Sequence, residues 1–548
     1  MIARFYQLGF LSSSRRKYMH RLWLASAFIG ALTIGISVTA QAATPADTLV
    51  VARNIDDVTS LDPAENFESV GGETLNNLYT RIVTFEPGDF TKLAGGAAES
   101  WTVSDDGRTI TFRIRKGLIF PSGRELTAED AAFSLHRAIL LDKTPAFILS
   151  QFGWTKDNVK SLVTAPSPDI LKLEITVQRA PTLVLNALTA TVASVVDQKE
   201  AEAHAVNNDY GSAWLKTHAV GTGAYRLLEW KPKQAIAFEA NPTFYRGKPE
   251  LKRVILRHIP EAASQLLLLQ KGDVDIARDL TSDQIEALTA NENFQVWSNP
   301  KQTVFYLNLN LKNDNLAKPK VREALRWLVD YQGIASTVLK GRLVVHQGFI
   351  GKGTFGSLDE APFHLDVSKA KALLAQAGLP DGFAVSINNA NSPPASIIAQ
   401  SLQATFAQGG VKLDLQQSDR KQVLTKYRGR DYDITLISWE PDYLDPHSTA
   451  DYFTRNPDNS AEASNKTLPW RASWDIPELT RETEAAAVEK DTEKRKALYL
   501  DLQRKLQADS PLPVLFQSVE QVAGSIAVKG FDSGPTGDTL SYALISKN

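Results

Sequence analysis

Apolar and polar positions along the chain switch between a period of two and a period of about 3.6, and the switches mark out its elements. Thr48-Leu49-Val50-Val51-Ala52-Arg53 reads as a buried strand running into a loop over 60–67. Behind Gly71-Gly72, Leu75, Leu78 and Tyr79 share one face of a helix expected over 73–82. Residues 101–104 and 109–115 alternate about Asp106-Gly107, a strong hairpin signal. Thr127 with Asp130 three residues on is close to a capping box and opens a helix. Gly221-Thr222-Gly223 leads into a strand from Tyr225; it lacks the third glycine, the lysine and the helix of a phosphate loop, so it reads as a tight turn.

The pattern continues with a strand over 251–257 and a helix over 261–271 stopped by Gly272. Near Lys301 it restarts, with a strand over 304–310, a helix over 320–329 and a helix over 367–377 closed by Gly378. A buried strand follows over 432–437, and one long helix over 478–508, rich in Glu and Lys, is stopped by Pro511 and Pro513. A loop rich in glycine spans 530–537. Helix and strand alternate throughout, which sets the class as α/β.

The strand over 432–437 empties into Ser438-Trp439-Glu440-Pro441-Asp442-Tyr443-Leu444-Asp445-Pro446-His447, and loops at strand ends are where open α/β folds hold ligands. Its two aspartates differ. Asp445 precedes proline and the run His447 to Phe453, the place of a helix N-cap with proline at N1. Asp442 has no helix to cap. It reads either as a solvated loop aspartate, which the residues alone favour, or as an anion held for a ligand cation.

At 548 residues, with 43% hydrophobic and 22% charged residues, the chain is an ordinary globular protein of two or three domains. A net charge of -2 provides no footprint for nucleic acid or an anionic membrane. The absence of cysteine excludes disulfides, thiolate metal sites, thiol nucleophiles and a lipid anchor on cysteine. Arg15, Arg16, Lys17 and Arg21, an apolar run over 22–38 and Ala40-Gln41-Ala42 form an export signal over 1–42, cleaved after Ala42 in place of a retained membrane helix. Ser14 to His20 resembles a twin-arginine motif, whereas Met19 would start a shorter general-secretion signal; the second is preferred because nothing downstream demands a cofactor inserted before export. A periplasmic protein follows.

No catalytic constellation is present. There is no Gly-x-Ser-x-Gly elbow, His-Glu-x-x-His or Walker loop, and Ser-x-x-Lys at Ser14, Ser298 and Ser368 lacks partner motifs. The eight histidines never fall three or four residues apart, so no metal site and no cofactor are expected; His346 and His447 read as surface or loop histidines. A triad assembled only in space stays open at this point.

Several segments carry a family resemblance. They are Ala97 to Gly107, Phe112 to Gly117, Phe120 to Gly123, Leu126 to Asp130, Gly221 to Tyr225, Asn241-Pro242 with Tyr245, Leu269 to Asp275, Val321 to Leu325 with Asp330, Ala370 to Leu374 with Ala377-Gly378, and Lys494 to Tyr499. In this order they resemble the solute-binding components of bacterial ABC importers, family 5, whose members bind dipeptides, oligopeptides and, in some branches, nickel or other solutes. The resemblance implies a two-lobed periplasmic binding protein fold, type II and class C-like. Lobe I would comprise 43–87, 225–300 and 521–548, with an extra subdomain over 88–224, and lobe II would be 301–520.

It further implies that Asp442, in the Trp-x-x-Asp segment, receives a peptide α-ammonium. The backbone of Ser438, Trp439 and Glu440 would pair with the ligand, Tyr443 would lie alongside, and Phe67, Glu68, Ser69 and Val70 would border it from lobe I. Phe67 as a packed core aromatic is an equal reading. The implied partners are a peptide or other small solute, membrane permease subunits and their ATPase, with the receptor a monomer and not an enzyme. The second reading is a receptor of the same fold for an opine, sugar, nickel chelate or haem; the third is a hydrolase or chaperone.

Overall fold

The computed structural model describes residues 44–548, so the expected export signal lies outside the described residues. No described helix is long and apolar enough to cross a membrane. One eleven-stranded sheet runs through the molecule. Its axis is a pair of long antiparallel strands, Phe294–Leu309 and Val514–Ser525. On the side of Phe294 and Ser525, Ile276–Ala277, Thr48–Arg53, Arg253–His258, Ala235–Ala240 and Tyr225–Lys231 follow in order. On the side of Leu309 and Val514 lie Ile434–Trp439, Phe383–Ala390 and Val411–Ser418. The register of the axial pair slips between Pro300 and Val304, between these two halves.

Buried side chains segregate in the same way. Leu49, Leu75, Tyr225, Phe238, Val254 and Tyr542 pack in one core, while Leu307, Leu325, Ile387, Phe406 and Ile434 pack in another. A third core forms within a separate four-stranded sheet, Ala98–Val103, Thr109–Ile114, Ile170–Glu174 and Val163–Ser167, around Phe112, Phe120, Trp154 and Leu183. The ends of the described chain are tied together: Val528–Lys529 pairs with Ser546–Lys547, and Lys547 Nζ reaches Asp275 Oδ1 at 2.9 Å and Thr44 Oγ at 2.7 Å.

Local signals account for most boundaries. Thr127 and Asp130 form the full capping box of Ala128–Leu141, and Gly272, at φ +78°, closes Ala262–Lys271 in the left-handed conformation that spares glycine a Cβ clash. Four expectations are corrected. The expected 73–82 helix is Ser69–Leu78, so Gly71 and Gly72 lie inside it; an added Cβ on Gly72 would stand 2.9 Å from Asp538 Cβ, and close approach, not a helix start, explains that glycine. The strand expected over 304–310 begins ten residues earlier. The single helix over 478–508 is two, Pro477–Val488 and Thr492–Ala508, because Asp491 caps the second by accepting from Lys494 N at 2.9 Å. His346 and His447 are buried, not surface residues.

Candidate functional site

Strand Ile434–Trp439 pairs antiparallel with residues 304–309 along one edge, but its other edge is covered by Phe383–Ala390 only as far as Leu436. Ile437, Ser438 and Trp439 therefore present a strand edge with no partner strand among the described residues, and they line a cavity of about 560 Å³. Such an edge is a template for a further extended segment. Glu440, Pro441 and Asp442 continue the same wall, Asn66 to Ser69 and Gly72 face it, and Thr536 to Asp538 border it. Thr144, Pro145, Phe147 and Ile148, beside the separate four-stranded sheet, also line the cavity.

Asp442 is held by its backbone, whose N–H donates to Ser448 Oγ at 3.0 Å. Its half-buried carboxylate finds no cation or hydrogen-bond donor among the described residues. Burial first, and then the negative charges of Glu440 and Asp451, push its pKa up to about 8. Asp445 is the opposite case. Its carboxylate accepts from His447 N at 2.9 Å as the N-cap of Pro446–Thr454 and takes both Arg495 nitrogens, at 3.0 and 2.6 Å, with both side chains buried. Asn186 Nδ2 adds a longer bond at 3.3 Å.

The other expected site residues divide. Trp439 lies against Tyr452 with ring centroids 4.2 Å apart, and its indole N–H has no partner among the described residues. Phe67 is 43% exposed on the cavity and meets Phe147 edge-on at 5.8 Å, so the core-aromatic reading is set aside. Glu68 and Ser69 border the cavity, Glu68 also as N-cap of Ser69–Leu78. Val70 does not reach it, because the first helical turn rotates its side chain into the core around Leu75. Tyr443 does not reach it either: its ring is buried in the core of the four-stranded sheet and its hydroxyl donates to Gln151 Oε1 at 3.2 Å. Glu440 contributes backbone to the wall, but its carboxylate is committed to protein donors, Gly537 N at 2.9 Å and Thr303 Oγ at 3.1 Å. Burial raises its pKa.

Sequence reasoning missed a cationic face. Arg420, Leu424, Tyr427 and Arg428, at i, i+4, i+7 and i+8 of helix Arg420–Arg428, line the cavity with Arg471. The helical spacing behind the capping residue Asp419 was the available signal; for Thr536 to Asp538 there was none. Among the described residues no group of three or more His, Asp or Glu stands where it could hold a metal ion.

Comparison with known proteins adds three findings. Residues 92–461 match the model described as bacterial extracellular solute-binding proteins, family 5 Middle. The chain is 29% identical over 501 residues to the probable D,D-dipeptide-binding periplasmic protein DdpA of Escherichia coli (strain K12), covering 90% of this chain and 93% of that one. It is 26% identical to the glutathione-binding protein GsiB of Salmonella typhimurium, over 76% and 77% of the two chains. Among solved structures, the periplasmic binding protein DppA from Helicobacter pylori, in complex with peptide STSA, superposes with a TM-score of 0.75 at 22% identity, over 91% of this chain and 98% of that one. The expected two-lobed α/β binding fold is the fold observed.

Proposed function

The chain belongs to family 5 of the bacterial extracellular solute-binding proteins, and from that membership we propose that it is the periplasmic receptor of an ABC importer and binds short peptides by their free amino end. The observation that carries the reading is Asp442, a carboxyl group facing the cavity with no cation beside it among the described residues. A peptide α-ammonium supplies the missing charge, and every unblocked peptide has one whatever its side chains. The free edge at Ile437 to Trp439 suits the ligand backbone and reads no side-chain sequence. The arginines across the cavity suit the opposite end of a zwitterion. Relatives named for dipeptides and glutathione support the same class of ligand.

The family consists of binding proteins, and the work of this one is closure, not chemistry. A ligand touching residues 66–69 and 438–442 together favours the closed arrangement to the extent that it binds that arrangement better than an open one. The proposal takes 43–87, 225–300 and 521–548 as lobe I, 88–224 as its subdomain and 301–520 as lobe II; the segregation of the buried cores supports it. It also takes residues 1–42 as a cleaved signal, the receptor as a monomer, and a permease with its ATPase as the partners. Calorimetry with free and N-acetylated dipeptides tests it. Free dipeptides bind and acetylated ones do not; equal binding of both, or of neither, overturns the assignment.

A further inference from the structure

A second cavity, of about 670 Å³, lies on the far side of Glu440. Of all the residues lining the two cavities, three are shared: Ser69, Glu440 and Gly537. These three form a continuous partition. A Cβ built on Gly537 would stand 2.7 Å from Ser69 Cβ, and the Gly537 amide donates to Glu440 Oε1 at 2.9 Å. Thr303 Oγ fixes the other carboxylate oxygen at 3.1 Å, so the Glu440 side chain is held across the gap from both ends.

The second chamber differs from the first in what it leaves uncommitted. Its cations are engaged: Arg278 with Glu520 at 2.5 Å, Lys301 with the Gly534 carbonyl at 2.7 Å, and Arg342 with the Leu280 carbonyl and with Ser282 Oγ at 3.2 Å. The free lining is apolar, from Phe305, Leu339, Leu343, Pro393, Pro394 and Ile397. It fits hydrocarbon side chains, and its one uncommitted charge among the described residues is the exposed carboxylate of Asp283.

We propose that Glu440 is the wall that sets ligand length. It confines the ligand to the Asp442 chamber, and removing it opens an apolar subsite to the far end of a longer peptide. This rests on the peptide reading above. A neutral glutamine at 440 can accept from Gly537 N and donate to Thr303 Oγ, so it keeps the wall, whereas alanine removes it.

Calorimetry on the full chain with di-, tri-, tetra- and pentapeptides ending in leucine provides the test. In wild type, affinity falls tenfold or more beyond the tripeptide. Glu440→Ala gains tenfold or more for the tetra- and pentapeptides relative to the dipeptide, and Glu440→Gln keeps the wild-type order of affinities by length. Wild type binding all lengths alike, or an alanine variant whose profile parallels wild type, overturns the wall. Crystal structures of wild type and Glu440→Ala test the partition without any ligand. One continuous chamber in the variant is expected, and two separate cavities overturn the inference. Failure of every peptide to bind wild type counts instead against the peptide reading.

Discussion

Asp445 and Asp442 stand three residues apart at the two ends of one loop, and their surroundings are opposed. At the helical end, Asp445 is saturated by a backbone amide, a buried arginine and Asn186. At the cleft end, Asp442 has only negative neighbours and a cavity. A folded chain meets all its internal needs at the first position and leaves the second unmet, and an unpartnered carboxyl group beside a cavity marks where a partner from outside belongs.

Substitutions test how far this opposition goes. The largest effect is expected from Asp445→Ala, which strands Arg495 in the interior; a loss of about 3–5 kcal/mol, read by denaturant unfolding, is the cost of breaking a buried pair from one side. A loss below about 1 kcal/mol would erase the contrast. Next, Asp442→Ala lowers affinity for free dipeptides roughly a hundredfold, near 3 kcal/mol, without the destabilisation expected of Asp445→Ala; calorimetry reads the first effect and denaturant unfolding the second. If N-acetylated dipeptides lose as much, the amine is not what Asp442 holds.

The pH dependence ranks third. The ligand-free carboxyl holds a proton below about pH 8, and the ammonium pair needs it ionised, so binding at pH 7 releases a proton. Affinity then rises with pH, approaching tenfold per unit well below 8, and turns over as the peptide amine, with a pKa of about 8, loses its own proton. Calorimetry in buffers of different ionisation heat counts the protons; none released at pH 7 would contradict the unpaired state of Asp442. The smallest effect is a gain. The folded-state pKa of Asp442 lies above its ordinary value, so this group weakens the fold as pH climbs from about 4 to 8. Asp442→Asn therefore melts at a higher temperature than wild type at pH 8, while binding is lost.

The contrast was half legible in the chain itself. Asp445 before proline and a helical run announces a cap, and its role needed nothing distant to be read; only Arg495, fifty residues on, was hidden. Asp442 was singled out only by the Trp-x-x-Asp resemblance; its residues alone left it a solvated loop aspartate or an anion for a ligand, because its lack of charge partners is defined only by the assembled fold. The same division explains the other outcomes. The Asp106-Gly107 hairpin and the Thr127 capping box are contacts within a few residues and were read correctly. Tyr443 and Val70 were placed in the site by their neighbours in sequence, yet a turn of chain rotates each into a core built from remote segments. His346 and His447 looked exposed because polarity is visible and burial is not. The Asp491 break was legible and passed over, since the Glu and Lys pattern continues across it.

The closing of the sheet bears on the order in which the molecule assembles. Thr48–Arg53 finds its first partner in Arg253–His258, roughly 200 residues later, and its half of the sheet also requires Val514–Ser525, with Lys547 locking back onto Thr44 and Asp275. Contacts so far apart in sequence carry a large closure entropy before they contribute any stability. Until residues 514–547 are in place, the half of the sheet containing Thr48–Arg53 lacks the strand that joins it to Phe294–Leu309, and its strands expose unpaired edges. Deleting 528–548 would remove the lock together with Thr536 to Asp538, which border the ligand chamber, and would leave a chain prone to aggregate on refolding.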